Sequence, residues 1–378
     1  MNRHVFNVRS TYQREAEKAL DHLVALGIHR IAVIAANDSF GLDVQKGIAR
    51  GFQRAKLWIN AVNARGGVNG QKIELVSLDD KFEPKLAAEN AKKLVEERNV
   101  LALFLTRGTP HNEAIIPVLD AGNLPLIAPS TGSMTLHQPI NRHVFNVRST
   151  YQREAEKALD HLVALGIHRI AVIAANDSFG LDVQKGIARG FQRAKLKPVV
   201  DLTADRAKPD FARIVPAIVQ AEAQAVMWIG SGSSVSDGVK ALRAAGSAAQ
   251  VVTLSIISSS GFIKSMGDAS RGLIVTQVFP NERSAASVFV REAMDLAKAA
   301  GIESVSPAML EGFAGAKVLV EGLRRAGRNP TRATLQAALE SIQKLDIGGL
   351  DVTYSAGDHT GLEFAELSIV GADGQFHR

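Results

Sequence analysis

The sequence predicts an α/β protein built as two doubly wound lobes of parallel sheet. Three observations lead there. The chain has 378 residues, more than one ordinary core organises, so two domains are expected. From Gly67 onward, short apolar runs alternate with helical patterns, and a parallel crossover needs about a dozen residues, which a helix fills. The long helical stretch 285–343 and a closing pair of β segments fit two open sheets better than one (β/α)8 barrel. Open α/β sheets bind ligands beyond the carboxyl ends of their strands, so two lobes would aim their loops at one shared cleft.

The chain opens on a stretch that occurs twice. Asn2 to Leu57 reappears without one change as Asn141 to Leu196. Solenoid repeats drift at solvent positions and come three or more at a time, so two perfect copies indicate a copying event rather than a repeat architecture. Within the unit, His4 to Val8 alternates as a short strand. Ser10-Thr11-Tyr12-Gln13 offers a capping box, Ala16 to Val24 has helical spacing and Gly27 is a stop. Ile31 to Ala36 is a continuous apolar run, as in a strand covered on both faces. Asn37 to Gly41 is a loop, after which a helix starts. The first copy carries that helix through Trp58 to Ala64 before Arg65-Gly66-Gly67, whereas the second meets Lys197-Pro198 and a new strand, 199–202.

The unique sequence continues as strand 73–78, helix 84–97, strand 100–105, helix 112–121 and strand 124–128. After the second copy come helix 210–221, strand 225–229, helix 233–245, strand 251–255 and strand 273–278. Helices near 285–299, 307–326 and 331–343 come next. The end, 350–354 and 364–370, reads as a strand pair around a polar turn.

Composition narrows the function. With 46% hydrophobic and 22% charged residues the chain is an ordinary folded one. No apolar run reaches the roughly 18 residues of a membrane-crossing helix. Met1-Asn2-Arg3-His4 lacks a signal-peptide core, so an exported form would have its leader absent or replaced by the copy. Zero cysteines exclude disulfides, thiolate metal sites and cysteine nucleophiles. The formal charge of +6 is scattered, the patch of Arg324, Arg325, Arg328 and Arg332 reads as solvated helix end, and 5% aromatics without interleaved bases argue against nucleic acid.

Catalytic motifs are missing. Gly230-Ser231-Gly232 imitates a dinucleotide fingerprint, but Val235 stands at the third glycine and the expected acid is absent. There is no phosphate loop or nucleophile elbow. His111, His137 and His359 are expected in polar loops, without metal-ligand spacing, so neither metal nor cofactor is expected. What concentrates after strands is small hydroxyl and glycine residues: Thr106 to Pro110, Ser130 to Ser133, Asn176 to Gly180, and Ser231 to Ser234. Each alone is what caps and turns contain. Four aimed at one cleft would hold an anion with amides and hydroxyls. No positioned acid–base pair accompanies them, so the site reads as binding rather than catalytic.

At these residues the chain resembles the periplasmic solute-binding proteins of branched-chain amino-acid-type ABC transporters, the leucine/isoleucine/valine-binding class with the type I periplasmic-binding fold. The resemblance covers roughly 58–378, through WINAVNARGGVNGQKIELVSLDD (58–80), GTPHNEAIIPVLDAGNLPLIAPSTGS (108–133), VFNVRSTYQREAEKALDHLVALGIHRIAVIAANDSFG (144–180), GLIVTQVFP (272–280), LEGFAGAKVLVEGLRRAG (310–327) and HTGLEFAELSIVGADGQF (359–376). It implies two lobes joined by a three-segment hinge near 138–144, 277–283 and 344–349. Lobe one would comprise 28–138 with 283–345, lobe two 139–282 with 346–378, and 1–27 would be a surplus duplicated segment. It also implies ligand contacts from Thr106, Gly108 and Thr109, from Ser130, Thr131 and Gly132, from a Phe179 lid, and from Ser231, Ser255, Glu311 and Phe313. The leucine-type acid that pairs with a ligand's ammonium is missing: strand 251–255 runs into Ser255-Ile256-Ile257-Ser258. An aromatic or aliphatic carboxylate or an amide therefore stands beside an amino acid as the expected ligand.

The N-terminus departs most from the resemblance. The copied strand Ile31–Ala36 and helix from Leu42 would stand in for lobe one's central strand and first helix, leaving 2–27 loosely docked and Asn37 to Phe40 where a ligand loop belongs. Identical copies also invite swapping between chains, although a monomer is expected. The expected function is a periplasmic receptor that delivers a small carboxylate to an ABC permease. A ligand-sensing domain of a regulator is the alternative, and an α/β enzyme is disfavoured by the missing acid–base constellation.

Overall fold

The computed structural model describes residues 28–35 and 55–377. The expectations for 1–27, for the loop 37–41 and for the start of the helix after it lie outside the described residues. Strands β1 (Ile28–Ala35), β2 (Lys72–Asp79), β3 (Ala102–Phe104), β4 (Leu126–Ile127) and β5 (Val144–Phe145) form one sheet in the order β2-β1-β3-β4-β5, parallel throughout. β6 (Ile170–Ala175), β7 (Val200–Ala204), β8 (Ala225–Ile229), β9 (Gln250–Thr253) and β10 (Ile274–Gln277) form the parallel part of the second sheet. A small antiparallel sheet holds β11 (Leu345–Asp346), β12 (Asp351–Ser355) and β13 (Asp358–Gly361). β14 (Glu366–Val370) and β15 (Phe376–His377) close the second sheet antiparallel to β10, giving β15-β14-β10-β9-β8-β6-β7. The fold is α/β, with two doubly wound lobes, as the alternation predicts.

Both sheets place their first strand beside the second and then reverse outward, so each has a switch point, β1/β3 in one lobe and β6/β8 in the other. Apolar runs such as β6, buried at all six positions, fit because helices cover both faces. Ile31, Phe104 and Ile127 face one core with Leu310, Phe313 and Leu319, while Ala32, Ile34 and Leu103 face another with Ala91 and Leu119. In the second lobe Ala171, Ile173 and Trp228 pack on one side and Ile170, Val172 and Met227 on the other.

β1, from the first copy, takes an inner position, flanked by the edge strand β2 and by β3. The helix at 55–64 runs across the end of the copy and buries Ala55, Ile59 and Val62. In the second copy the helix Tyr151–Ala164 is capped one residue later than its serine suggests: Thr150 Oγ1 accepts the Arg153 N–H at 3.2 Å, and Gln152 turns instead to Asp182 at 2.5 Å.

Three sequence expectations are corrected. β5 pairs with β4, so the first crossing between sheets comes after Phe145 rather than at 138–144. Residues 345–362 stay with the first lobe, since Ile347, Val352, Tyr354 and Leu362 belong to its core, and the last crossing comes after Leu362. The terminal segments 350–354 and 364–370 are not paired with each other: β12 pairs with β11 and β13, and β14 with β10 and β15. After β10 ends at Gln277, Val278 and Phe279 pack into the first lobe's core.

Candidate functional site

The carboxyl ends of the parallel strands meet at a cavity of about 200 Å³. From the first lobe it is lined by Phe82 and Pro84 after β2 and by Arg107 to His111 after β3. Tyr151, Asp177, Phe179, Arg206 and Ile256 line it from beyond the first crossing. Of the residues singled out in the sequence, Gly108, Thr109 and Phe179 reach it directly.

The loops after β3 and β4 are laced together. Ser130 N–H donates to the Thr106 carbonyl at 2.8 Å, and Thr109 Oγ1 lies 2.8 Å from Thr131 Oγ1. Asn112 Nδ2 donates to the Gly108 carbonyl at 2.7 Å, and its Oδ1 meets the Thr106 hydroxyl. Leu105 and Ala128, where the strands give way to these loops, both adopt φ 53°, an unusual conformation for residues with a Cβ. Gly132 lies where a Cβ would come within 2.7 Å of the Ser149 carbonyl, and its own carbonyl accepts the Tyr151 N–H at 2.7 Å. Thr106, Ser130, Thr131 and Gly132 thus brace the wall from behind.

Phe82 is held facing the cavity by two successive left-handed residues, Lys81 (φ 49°) and Phe82 (φ 59°). Asp79 and Asp80 side chains accept their N–H groups, each at 2.9 Å. The Phe82 ring packs on His111, centroids 4.5 Å apart. His111 is buried, and neither ring nitrogen meets a hydrogen-bond partner among the described residues. Burial is the main cause that lowers its pKa from 6.5 to about 4, aided by Arg107 and Arg206. The Phe82 backbone and Asp177 pull the other way without reversing it.

On the second lobe, Tyr151 and Phe179 meet edge to face at 4.9 Å. Asp177 caps the helix Ser178–Ala194, accepting the Gly180 N–H at 3.1 Å, and lies 2.6 Å from Arg206 Nη2. Arg206 Nη1 donates to Ser231 at 2.7 Å, so Ser231 touches the guanidinium rather than the cavity. Behind Tyr151, buried Arg148 pairs with buried Glu154 and donates to Ser255 Oγ at 2.9 Å; Glu154 also accepts from the Ser255 N–H and the Thr276 hydroxyl. Glu311 lies nearby, half-buried; desolvation raises its pKa, against the pull of Arg148 and Ser130. Ser255 and Glu311 therefore belong to a polar layer behind the cleft.

Phe313 is elsewhere. It is 1% exposed and wedged between Trp58 and Phe289, centroids 5.5 and 5.2 Å away, in the first lobe's core. His111, His137 and His359 are buried rather than in polar loops. Among the described residues no group of histidine and carboxylate side chains is spaced to hold a metal.

The sequence pattern of the periplasmic binding protein family matches residues 52–370. The chain belongs to that family. It is similar to an amino acid binding protein of Pseudomonas aeruginosa, at 25% identity over 62% of this chain and 64% of that one, so the match spans just under two thirds of that relative. It is also similar to Leu/Ile/Val-binding protein homolog 3 of Brucella melitensis, at 24% identity over 84% and 83% of the two chains. A possible leucine/isoleucine/valine-binding protein from Rhodopirellula baltica SH 1 superposes with a TM-score of 0.85, at 25% identity over 93% of this chain and 96% of that one. A substrate-binding periplasmic protein from Ralstonia solanacearum gives 0.84 at 28% identity over 92% and 99%. This periplasmic binding protein thus has the two-lobed type I fold of its relatives.

Proposed function

We propose that this protein is the receptor of an ABC importer, trapping a small carboxylate-bearing ligand (an amino acid, an amide or an aromatic acid) between its lobes and presenting it to a membrane permease from the periplasm. The observation that carries this reading is the cavity lined from both lobes, with Arg107, Gly108 and Thr109 on one side and Phe179 and Arg206 on the other. A ligand touching both walls binds the closed form better than an open one, which is what drives hinge closure. In this reading the loops 106–109 and 130–132 offer hydroxyls and amides to the carboxylate, and Phe179 covers it. Ser231, Ser255 and Glu311 fix the polar groups behind, while Phe313 supports the wall through the core. The names of the Pseudomonas and Brucella relatives support a ligand of amino-acid size. The receptor works as a monomer, with exchange of the two identical copies between chains as its alternative association.

A thermal-shift screen over amino acids, amides and aromatic acids tests the reading. A saturable rise in melting temperature with one class is expected; a flat response across all three would count against it.

A further inference from the structure

For a protein that works as a solute receptor, the reading on which this inference rests, the groups around the cavity also name the chemical class of the ligand. An amino acid brings an ammonium group, which needs an anionic partner once it leaves water. Among the described residues that line the cavity, Asp177 is the only carboxylate. Its two oxygens are already engaged, one 2.6 Å from Arg206 Nη2 and the other on the Gly180 N–H. Glu311 is not among the lining residues; its Oε1 has no hydrogen-bond partner among the described residues, but Ser130 and the Arg148 guanidinium already interact with its carboxyl, and desolvation raises its pKa.

Positive groups dominate instead. Arg107 projects from the first lobe and Arg206 from the second, and each guanidinium lies over an aromatic ring, 5.4 Å from Phe82 and 5.1 Å from Phe179. Arg206 Nε is buried without a hydrogen-bond partner among the described residues, as are both nitrogens of His111 on the opposite wall. An arginine with one N–H still to satisfy is suited to a carboxylate oxygen. The remaining walls, Phe82, Tyr151, Phe179 and Ile256, are apolar faces. A space of about 200 Å³ is below the range usual for drug-sized ligands, which sets the ligand's scale.

We propose that the cavity takes a carboxylate lacking an ammonium group, carried on an aromatic or similarly compact apolar body, with the anion between Arg107 and Arg206 and the body against Phe82, Tyr151 and Phe179. His111 meets the ligand as a neutral ring, offering one donor and one acceptor to a hydroxyl or carbonyl substituent. Since the two arginines come from different lobes, the anion itself joins the lobes, and affinity and closure depend on the same contacts.

Matched pairs differing only in the amino group give the test: phenylalanine against 3-phenylpropanoate, leucine against 4-methylpentanoate, with benzoate as a compact aromatic acid. Titration calorimetry on the full chain should show the des-amino acids or benzoate binding at least about tenfold more tightly than the amino acids, and Arg206→Gln should weaken that binding by about tenfold or more. Arg206→Lys, which keeps the charge but not the fork, should fall between; equal melting temperatures of the ligand-free variants would exclude misfolding as the cause. An amino acid binding as tightly as its des-amino partner overturns this inference and leaves the receptor reading standing. No heat with any member of either set overturns both.

Discussion

Lys56 and Lys195 are the same residue of one duplicated sequence and hold opposite backbone states. Lys56 is helical, in the segment described over 55–64, whereas Lys195 ends its helix at φ 55° and ψ 34°. The next residues along the chain decide between them. After Lys195 come Leu196, Lys197 and Pro198, and the residue before a proline is pushed away from helical geometry. After Lys56 come Leu57, Trp58 and Ile59, and Ile59 with Val62 gives the next turns a buried face. The glycines at 66 (φ 99°) and 67 (φ 77°) supply the turn there.

Glycine substitution should therefore act with opposite sign at the two lysines. Lys195→Gly relieves a left-handed residue and should stabilise by about 0.5–1 kcal/mol. Lys56→Gly puts a glycine into helical backbone and should destabilise by about 0.5–1 kcal/mol. Denaturant midpoints of the two variants, at unchanged m-value, are the measurement.

Glu154→Gln should cost about 3–5 kcal/mol, because it leaves buried Arg148 without its counter-charge. Replacing both partners together, by Arg148→Met with Glu154→Leu, should cost less than the single change. A double change as damaging as the sum of the singles would show that the pair is not coupled.

Acid should reveal the buried histidines. His137, like His111, has its pKa lowered by burial from 6.5 to about 4. Below pH 6.5 the unfolded chain binds the proton more strongly than the folded one, so the stability associated with the neutral ring is complete above pH 6.5 and lost as pH falls toward 4. Asp182, Glu282 and Glu311, raised by burial, act in the opposite sense. His137→Gln isolates the histidine: the wild type should lose stability relative to it between about pH 6.5 and 4.

Gly108→Ala should damage the cleft more than its size suggests. Gly108 has φ 87°, and a Cβ there would stand 2.6 Å from His111 Nδ1. Strain and displacement of the ring together should cost about 1–3 kcal/mol of stability. Ligand affinity should fall as well; a variant with unchanged affinity would place His111 outside the binding surface.

The elements were legible in the sequence because apolar strands and amphipathic helices alternate without ambiguity, and the short hydroxyl loops pointed to Gly108, Thr109 and Phe179. Phe82 and Arg206 were not visible. Their loops come after β2 and β7, which reach the cleft only because the strand order doubles back, and Phe82 adopts its left-handed φ without a glycine to announce it. Polarity misled at His111, His137 and His359, since a neutral imidazole is tolerated in a core. Phe313 was misplaced by its neighbourhood: its helix turns it toward Trp58 and Phe289 while Glu311, two residues earlier, faces the polar layer.

The segment Ile28–Ala35 forms an inner parallel strand of one sheet, and its duplicate supplies β6 at the matching place in the other. Any peptide-level probe falling wholly within the duplicate, whether an exchange envelope, a fragment mass or an antibody epitope, reports an average over two lobes. Only fragments that run past the copied unit, to Met1 or Trp58 at one copy or to Ile140 or Lys197 at the other, tell which half of the molecule has opened.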